Sequence, residues 1–105
     1  MQRGEIWWAD LPQPSGRRPV LLLSRDGAYP IRNFIIMSPL TTHRRGLSTE
    51  VILGPDDGLP RFSVVNLDVI ITERKACLLE RIGNLNPTQL LAVEDAIRFA
   101  LGMEE

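Results

Sequence analysis

The sequence is poor in the residues that build disulfides and metal sites. Its 105 residues include one cysteine, Cys77, and one histidine, His43. A lone cysteine cannot form an internal disulfide and fits a reducing compartment, so we expect Cys77 to pack as a small hydrophobic residue in a buried strand. Without a spaced cluster of ligands, the sequence predicts neither a metal nor another cofactor.

Long apolar runs are also missing. No run reaches the roughly 18 apolar residues of a membrane span, so no membrane association is expected. The first residues already carry charge, at Arg3 and Glu5, and do not resemble an export signal. These features predict a cytoplasmic protein, and the length predicts a single domain over residues 1–105.

Charged residues are nearly balanced in number but unevenly distributed. Residues 1–45 carry seven arginines against three acidic residues, whereas residues 46–105 carry five basic and ten acidic residues. Arginine suits bidentate recognition of phosphate and carboxylate groups. The first part of the chain therefore favours a nucleic acid or an acidic peptide as partner. The alternative is a set of scattered solubilising charges.

Short apolar segments separated by turn residues predict a mainly β protein. The predicted strands span 4–11, 18–24, 33–38, 48–53, 63–65, 68–72 and 76–79. Residues 39–46 are expected to form a polar, basic loop. Strands this short and closely spaced favour a small barrel.

A change of period near the end of the chain predicts one C-terminal helix. Its apolar face is formed by Leu90, Val93, Ile97 and Leu101. Asn86 is a suitable N-cap that Gln89 completes as a capping box, and Gly102 ends the helix. Glu94 and Arg98 are spaced to form an ion pair on the helix surface.

A polar pair lies where two predicted strands begin and end. Arg18 opens the second strand, and Thr41 follows the third. If these strands pair antiparallel, the guanidinium and the hydroxyl meet at one rim of the sheet, where they suit a phosphate group. The alternatives are an arginine paired with an acid and a hydroxyl that satisfies a turn.

Several segments, in order along the chain, resemble the MazF/PemK (Kid) toxins. The resemblance rests on residues 3–11, 18–21, 39–42, 45–51, 63–68 and 82–85. It implies a small SH3-like barrel of the PemK/MazF/CcdB type with a C-terminal α-helix. It further implies a homodimeric toxin of a type II toxin–antitoxin system. Such a toxin is a metal-independent, sequence-selective endoribonuclease that cleaves single-stranded RNA and is inhibited by an acidic or disordered segment of its antitoxin.

Carried over by position, the resemblance makes Arg18 the active-site arginine and Thr41 the hydroxyl, with Thr42 as the fallback. RNA supplies its own 2′-OH as nucleophile, so the enzyme must stabilise charge on phosphorus, which suits Arg18. Thr41 is a poor base and is assigned to positioning. Histidine is the side chain type whose unperturbed pKa lies near neutrality, so His43 is a candidate for RNA contact or proton transfer, unless it is simply a solvated loop residue.

Further RNA contacts are expected from basic and aromatic residues. Arg17, Arg44 and Arg45 are predicted phosphate contacts, and their alternative is a solvated surface. Trp7 and Trp8 are adjacent on a strand and point to opposite faces, so one is expected to pack in the core. The other stacks on a base or lines the dimer or antitoxin surface, and Trp7 is the predicted RNA contact.

The chain departs from the family pattern at one strand. Many relatives carry Gln-Ile-Arg-Thr where this chain has Val69, Ile70, Ile71 and Thr72. A polar residue and an arginine are thereby replaced by Val69 and Ile71. These replacements keep open the alternative of a catalytically inactive RNA- or protein-binding barrel. A second alternative is a non-enzymatic toxin of the same fold, a CcdB-like gyrase-binding toxin.

Overall fold

A curled antiparallel sheet backed by one helix forms the framework of the protein. The computed structural model describes residues 1–103, and within them the chain forms seven strands and one α-helix. These are β1 (Glu5–Asp10), β2 (Arg17–Leu22), β3 (Phe34–Thr41), β4 (Glu50–Leu53), β5 (Ser63–Asn66), β6 (Ile71–Arg74), β7 (Leu78–Asn84) and α1 (Pro87–Ala100). The strand order is β4-β5-β3-β2-β1-β7, and β6 pairs with β3 beside this path. The predicted mainly β class with a C-terminal helix is confirmed.

The central strand β2 is buried on both faces, as its apolar run predicts. Leu21 and Leu23 belong to an apolar cluster that packs against α1, whereas Val20 and Leu22 belong to a second cluster on the other side of the sheet. Because successive side chains of a strand point to opposite faces, an unbroken apolar run requires a cover on each side.

Within residues 1–103, the helix α1 is not long and apolar enough to span a membrane.

Local hydrogen bonds define both ends of α1. Asn86 Oδ1 accepts a bond from the backbone N–H of Gln89 at 2.8 Å, and Gln89 Oε1 accepts one from the N–H of Asn86 at 2.8 Å. Gly102 has a φ of +70°, and the N–H of Met103 donates to the carbonyl of Arg98 at 2.7 Å. The predicted capping box and glycine stop are therefore confirmed.

The surface ion pair predicted on α1 is wrong. Arg98 Nη1 lies 2.7 Å from Asp95 Oδ1, and Glu94 instead lies 3.5 Å from Arg3 Nη1. Asp95 is one helical turn before Arg98, so it competes for the same cation.

The buried face of α1 is shorter than the sequence predicts. Leu101 lies past the last helical turn and is 60% exposed, so the buried face ends before it.

Strand β3 runs on through residues 39–41, which the sequence had indicated as loop. Residues 34–37 pair with β6, and residues 40–41 pair with β5. The carbonyls of Ile36 and Leu40 face β2. By alternation, the nitrogen of Pro39 faces the other way, into the gap between β6 and β5. The missing N–H of Pro39 therefore costs no ladder bond, and the proline does not end the strand.

A buried serine closes the gap at which β3 changes partners. Ser38 is fully buried, and its Oγ lies 2.6 Å from the carbonyl oxygen of Val69 and 3.2 Å from that of Asn66. Asn66 is the last residue of β5, and Val69 lies in the segment that links β5 to β6. One hydroxyl thus ties the long strand to both of its partners.

The predicted strands at 68–72 and 76–79 are misplaced. The N–H of Val69 donates to the carbonyl of Asn66 at 2.9 Å, which closes a turn over residues 66–69. Strand β6 therefore begins only at Ile71. Cys77 ends a short 3₁₀ helix and is half-buried, so its placement in a buried strand is wrong. Burial and the nearby charge of Glu73 raise the pKa of the Cys77 thiol, which keeps it protonated rather than nucleophilic.

Replacing Ser38 by alanine should lower the free energy of unfolding by about 0.5–1.5 kcal/mol, because the Val69 carbonyl loses the donor that the fully buried Ser38 supplies and the Asn66 carbonyl keeps only the N–H of Val69. Urea denaturation measures the change. The exposed loop residue Ser48 gives the matched control, Ser48→Ala, which should alter stability by less than about 0.5 kcal/mol. Equal effects of the two substitutions would show that the hydroxyl does not hold the strands together.

Candidate active site

Arg18 and Thr41 lie in the same cavity. Strands β2 and β3 pair antiparallel with Val20 opposite Pro39, and the same register continued by two residues sets Arg18 opposite Thr41. Both residues line a cavity of about 340 Å³. The juxtaposition predicted from antiparallel pairing is therefore present.

Backbone carbonyls, rather than a carboxylate, orient the Arg18 guanidinium. Its Nε donates to the carbonyl of Ser15 at 3.0 Å, and its Nη1 to that of Leu40 at 3.5 Å. Within residues 1–103, no acidic group lies within 4.0 Å of it, so the alternative of a structural ion pair is not observed. A guanidinium has five N–H donors, so several remain for a ligand, and its charge is not offset by a direct partner.

The Thr41 hydroxyl is held in place but keeps its hydrogen. Thr41 Oγ1 accepts a bond from the backbone N–H of His43 at 3.1 Å, which leaves the O–H free to donate. Strand β3 ends at Thr41, and the exposed Thr42 does not line this cavity. The fallback assignment to Thr42 therefore has no geometric support.

Glu50 shapes the loop that carries the basic residues. Its carboxylate accepts bonds from three successive backbone N–H groups, those of Arg45 at 3.1 Å, Gly46 at 2.8 Å and Leu47 at 3.2 Å. Such a concave row of donors is an anion-binding nest, and Gly46 supports it with a φ of +73°. Burial acts to raise the pKa of Glu50, but these bonds and the charge of Arg44 outweigh it, so the pKa lies below its usual value.

Sequence reasoning missed Glu50 as a site residue, although a local signal was present. A glycine in a basic loop, followed closely by a glutamate at the start of a strand, suggests a loop closed on a carboxylate. Ser15 and Asn66 also line the cavity and were missed. Ser15 acts through its backbone carbonyl, which no side-chain pattern reveals.

The segment after β5 contributes one apolar residue, Val69, to the wall of the cavity that holds Arg18 and Thr41. Val69 lines the cavity and is 44% exposed, whereas Ile71 packs against the second apolar cluster. Of the two departures from the family pattern, only Val69 therefore reaches the cavity. Asp68 supports the turn through its N–H, which donates to Asn66 Oδ1 at 3.0 Å.

Five of the other predicted RNA contacts fall into three groups by position. His43 and Arg45 are exposed and line the cavity of Arg18, whereas Thr42 and Arg44 line a neighbouring cavity. Arg17 lies outside both cavities, with its guanidinium 5.7 Å from the centre of the Trp8 ring.

Trp7 also lies outside both cavities. It is half-buried against the second apolar cluster, and its Nε1 donates to Glu5 Oε1 at 2.8 Å. Its neighbour Trp8 is half-buried on the opposite side of the strand, beneath Arg17. Trp7 is therefore the tryptophan that packs against the core, which argues against its selection for base stacking.

Glu50→Gln should lower stability at neutral pH and have little effect in acid. Because the folded pKa of Glu50 is depressed, its carboxylate stabilises the fold above the usual pKa of 4.5, and this contribution is lost as the pH falls through the lowered value. Urea denaturation of both proteins at neutral pH and at about pH 3 measures the difference. Glu80→Gln, at an exposed glutamate on β7, is the control, and a pH-independent difference for Glu50→Gln would contradict the role of its charge.

Comparison with known proteins finds one family over nearly the whole chain. Residues 2–101 match the family model of the PemK-like, MazF-like toxins of type II toxin–antitoxin systems. Probable endoribonuclease MazF5 of Mycobacterium tuberculosis is 42% identical over 100 residues, which cover 94% of this chain and 91% of that protein.

Two solved structures share the fold closely. The Mycobacterium tuberculosis toxin MazF-mt6 matches with a TM-score of 0.88 at 35% identity, covering 96% of this chain and 99% of that one. A mycobacterial endoribonuclease in complex with its cognate antitoxin matches with a TM-score of 0.87 at 30% identity, covering 100% and 98%. With the sequence match over residues 2–101, these likenesses show that the chain belongs to the family of PemK-like, MazF-like toxins of type II toxin–antitoxin systems.

Proposed function

We propose that this chain is a toxin that acts as a metal-independent, sequence-selective endoribonuclease on single-stranded RNA, including mRNA. The observation that carries the proposal is the shared cavity of Arg18 and Thr41. There, a guanidinium that no carboxylate of residues 1–103 pairs with lies beside a hydroxyl that is free to donate. Membership of the toxin family supports it, and relatives at 42% and 36% identity are named probable endoribonucleases.

The proposed reaction uses the nucleophile that RNA itself carries. The 2′-oxygen attacks the adjacent phosphorus and loses its proton, while the bond from phosphorus to the 5′-oxygen breaks and that oxygen gains a proton. The products end in a 2′,3′-cyclic phosphate and a 5′-hydroxyl. Arg18 stabilises the negative charge on the five-coordinate phosphorus, and the Thr41 hydroxyl positions the phosphate or the 2′-OH.

We assign His43 and Arg45 to RNA contact in the same cavity. Both are exposed and line it, so they can reach an extended strand that runs past Arg18. The Glu50 carboxylate already accepts three backbone bonds, so it is assigned to loop shape rather than to proton transfer. Phosphate contacts of this kind fix the position of the RNA and make binding sensitive to salt.

We further propose two protein partners. An acidic or disordered antitoxin segment would compete with RNA for Arg18 and Arg45, and a relative at 30% identity is described as bound to its cognate antitoxin. A second copy of the chain would cover exposed apolar side chains beside α1. Ile36, Leu101 and Met103 are among those that line a groove of about 380 Å³ there.

Arg18→Ala should reduce cleavage about 10²- to 10³-fold, because one charge-stabilising group is lost. The measurement is cleavage of a mixed-sequence single-stranded RNA in EDTA, with mapping of fragments that end in 2′,3′-cyclic phosphate. Arg32→Ala, at an exposed arginine outside the cavity, is the control and should cleave like wild type. RNA binding without any product from wild-type protein would reject the nuclease and favour the inactive RNA-binding barrel.

His43→Gln should raise KM for RNA several-fold with little change in kcat, because the residue is assigned to contact and not to proton transfer. The pH dependence of kcat should keep its wild-type shape. Loss of one limb of the pH profile in the variant would instead make His43 the proton carrier. Thr41→Ser, which retains a hydroxyl, serves as a conservative comparison in the same assay.

A further inference from the structure

An exposed aromatic ring lies beside the loop that carries Thr42 and Arg44. Phe62 is 71% exposed, yet its ring lies directly against the buried residue Gly54. A Cβ atom added at Gly54 would lie 2.6 Å from Phe62 Cε1 and 2.7 Å from Cδ1, closer than real atoms approach. The ring thus lies in the space that a side chain at position 54 would occupy, while most of its surface stays open to solvent and to a ligand.

The ring borders a cavity of about 310 Å³ that has both apolar and cationic walls. Val64, which is 2% exposed, and Ile52, which is 46% exposed, supply apolar surface. Thr42 and Arg44 contribute a hydroxyl and a guanidinium. Aromatic rings and guanidinium planes stack on the faces of unpaired bases, and hydroxyls bond to base edges, so this set of groups suits a nucleobase.

One loop segment connects this cavity to the proposed active site. Thr41, His43 and Arg45 line the cavity of Arg18, whereas Thr42 and Arg44, which alternate with them, line the cavity of Phe62. A chain that passes over this segment therefore meets both cavities. Each nucleotide of RNA carries a phosphate and a base that projects to one side of the backbone. The Arg18 cavity suits the phosphate, and the adjoining Phe62 cavity suits the base.

We infer that the Phe62 cavity binds one base of the single-stranded RNA next to the phosphate held by Arg18, and that it contributes to base selection. The inference rests on the proposed ribonuclease function. Phe62 stacks on the base, and Arg44 holds its other face or the adjoining phosphate. The exposed Phe62 ring, which can stack on a base, and the continuity with the Arg18 cavity favour RNA over a segment of a protein partner as the occupant.

The binding test uses single-stranded oligoribonucleotides of mixed sequence in which every 2′-OH is replaced by fluorine, so that no cleavage occurs. Phe62→Leu should bind about 5- to 100-fold more weakly, the range expected for one stacked base. Phe62→Tyr should bind like wild type because it keeps the ring. Gly54→Ala keeps Phe62 in the chain but places a methyl group where the ring lies, so the ring must move and binding should weaken in the same way.

Phe34→Leu is the matched control. Phe34 is 51% exposed and has the guanidinium of Arg74 4.9 Å from its ring centre, so it is a similar aromatic–arginine pair at the opposite end of β3. This substitution should leave RNA affinity unchanged. Thermal unfolding of each variant verifies that the fold is intact.

Mapping of cleavage sites on unmodified RNA completes the test. Phe62→Leu should relax the base preference at one position beside the cut bond. If wild type cleaves RNA but Phe62→Leu binds and selects bases as wild type does, the inference is wrong, the cavity is free for a protein partner, and the nuclease stands. If affinity depends on Phe62 but wild type makes no product, the base site stands and the nuclease is rejected.

Discussion

The change of partners along β3 is the constraint on which the site depends. One long strand pairs with β6 over residues 34–37 and with β5 over residues 40–41, while β2 borders it on the other side. The buried hydroxyl of Ser38 ties both partners to the strand at the point of exchange. Because β3 continues past Pro39, Thr41 is carried to the position opposite Arg18.

The electrostatic potential of the cavity depends on which hydrogen-bond partners its charged residues already have. The chain has a formal net charge of −1, yet Arg18 is held by two carbonyls and keeps its charge unpaired by any acid of residues 1–103. Glu50, the acid that lines the cavity, is engaged by three backbone N–H groups. An anion that enters therefore meets a site that is locally cationic, with Val69 as an apolar wall.

Much of this arrangement could be predicted from sequence because it depends on local patterns. The apolar run of β2, the capping box of α1 and the glycine at its end each follow from residues close together in the chain. Arg18 and Thr41 could be paired because antiparallel neighbours return to the same rim.

The misplaced features depend on contacts between residues distant in sequence. The sequence predicts that the strand ends before Pro39, since no pattern shows that the nitrogen of Pro39 faces a gap between two other strands. The sequence also leaves open which of two adjacent tryptophans faces the core, because only the tertiary structure decides this. Ser15 contributes a carbonyl, and Phe62 is positioned by Gly54, so neither side chain signals its role. Asp95 took the place of Glu94 beside Arg98 because both spacings suit a helix.

The hydrogen bonds of Glu50 fix the backbone of the loop at residues 45–47 without involving the side chains that the loop presents. The carboxylate binds only backbone N–H groups, so the path of residues 45–47 does not require particular side chains at positions 45 and 47. The residues that face the two cavities, including Thr42, Arg44 and Arg45, are thus open to substitution while the backbone beneath them keeps its course. On the proposed function, substitutions at these positions can change which RNA sequence is selected while the backbone of the loop stays the same.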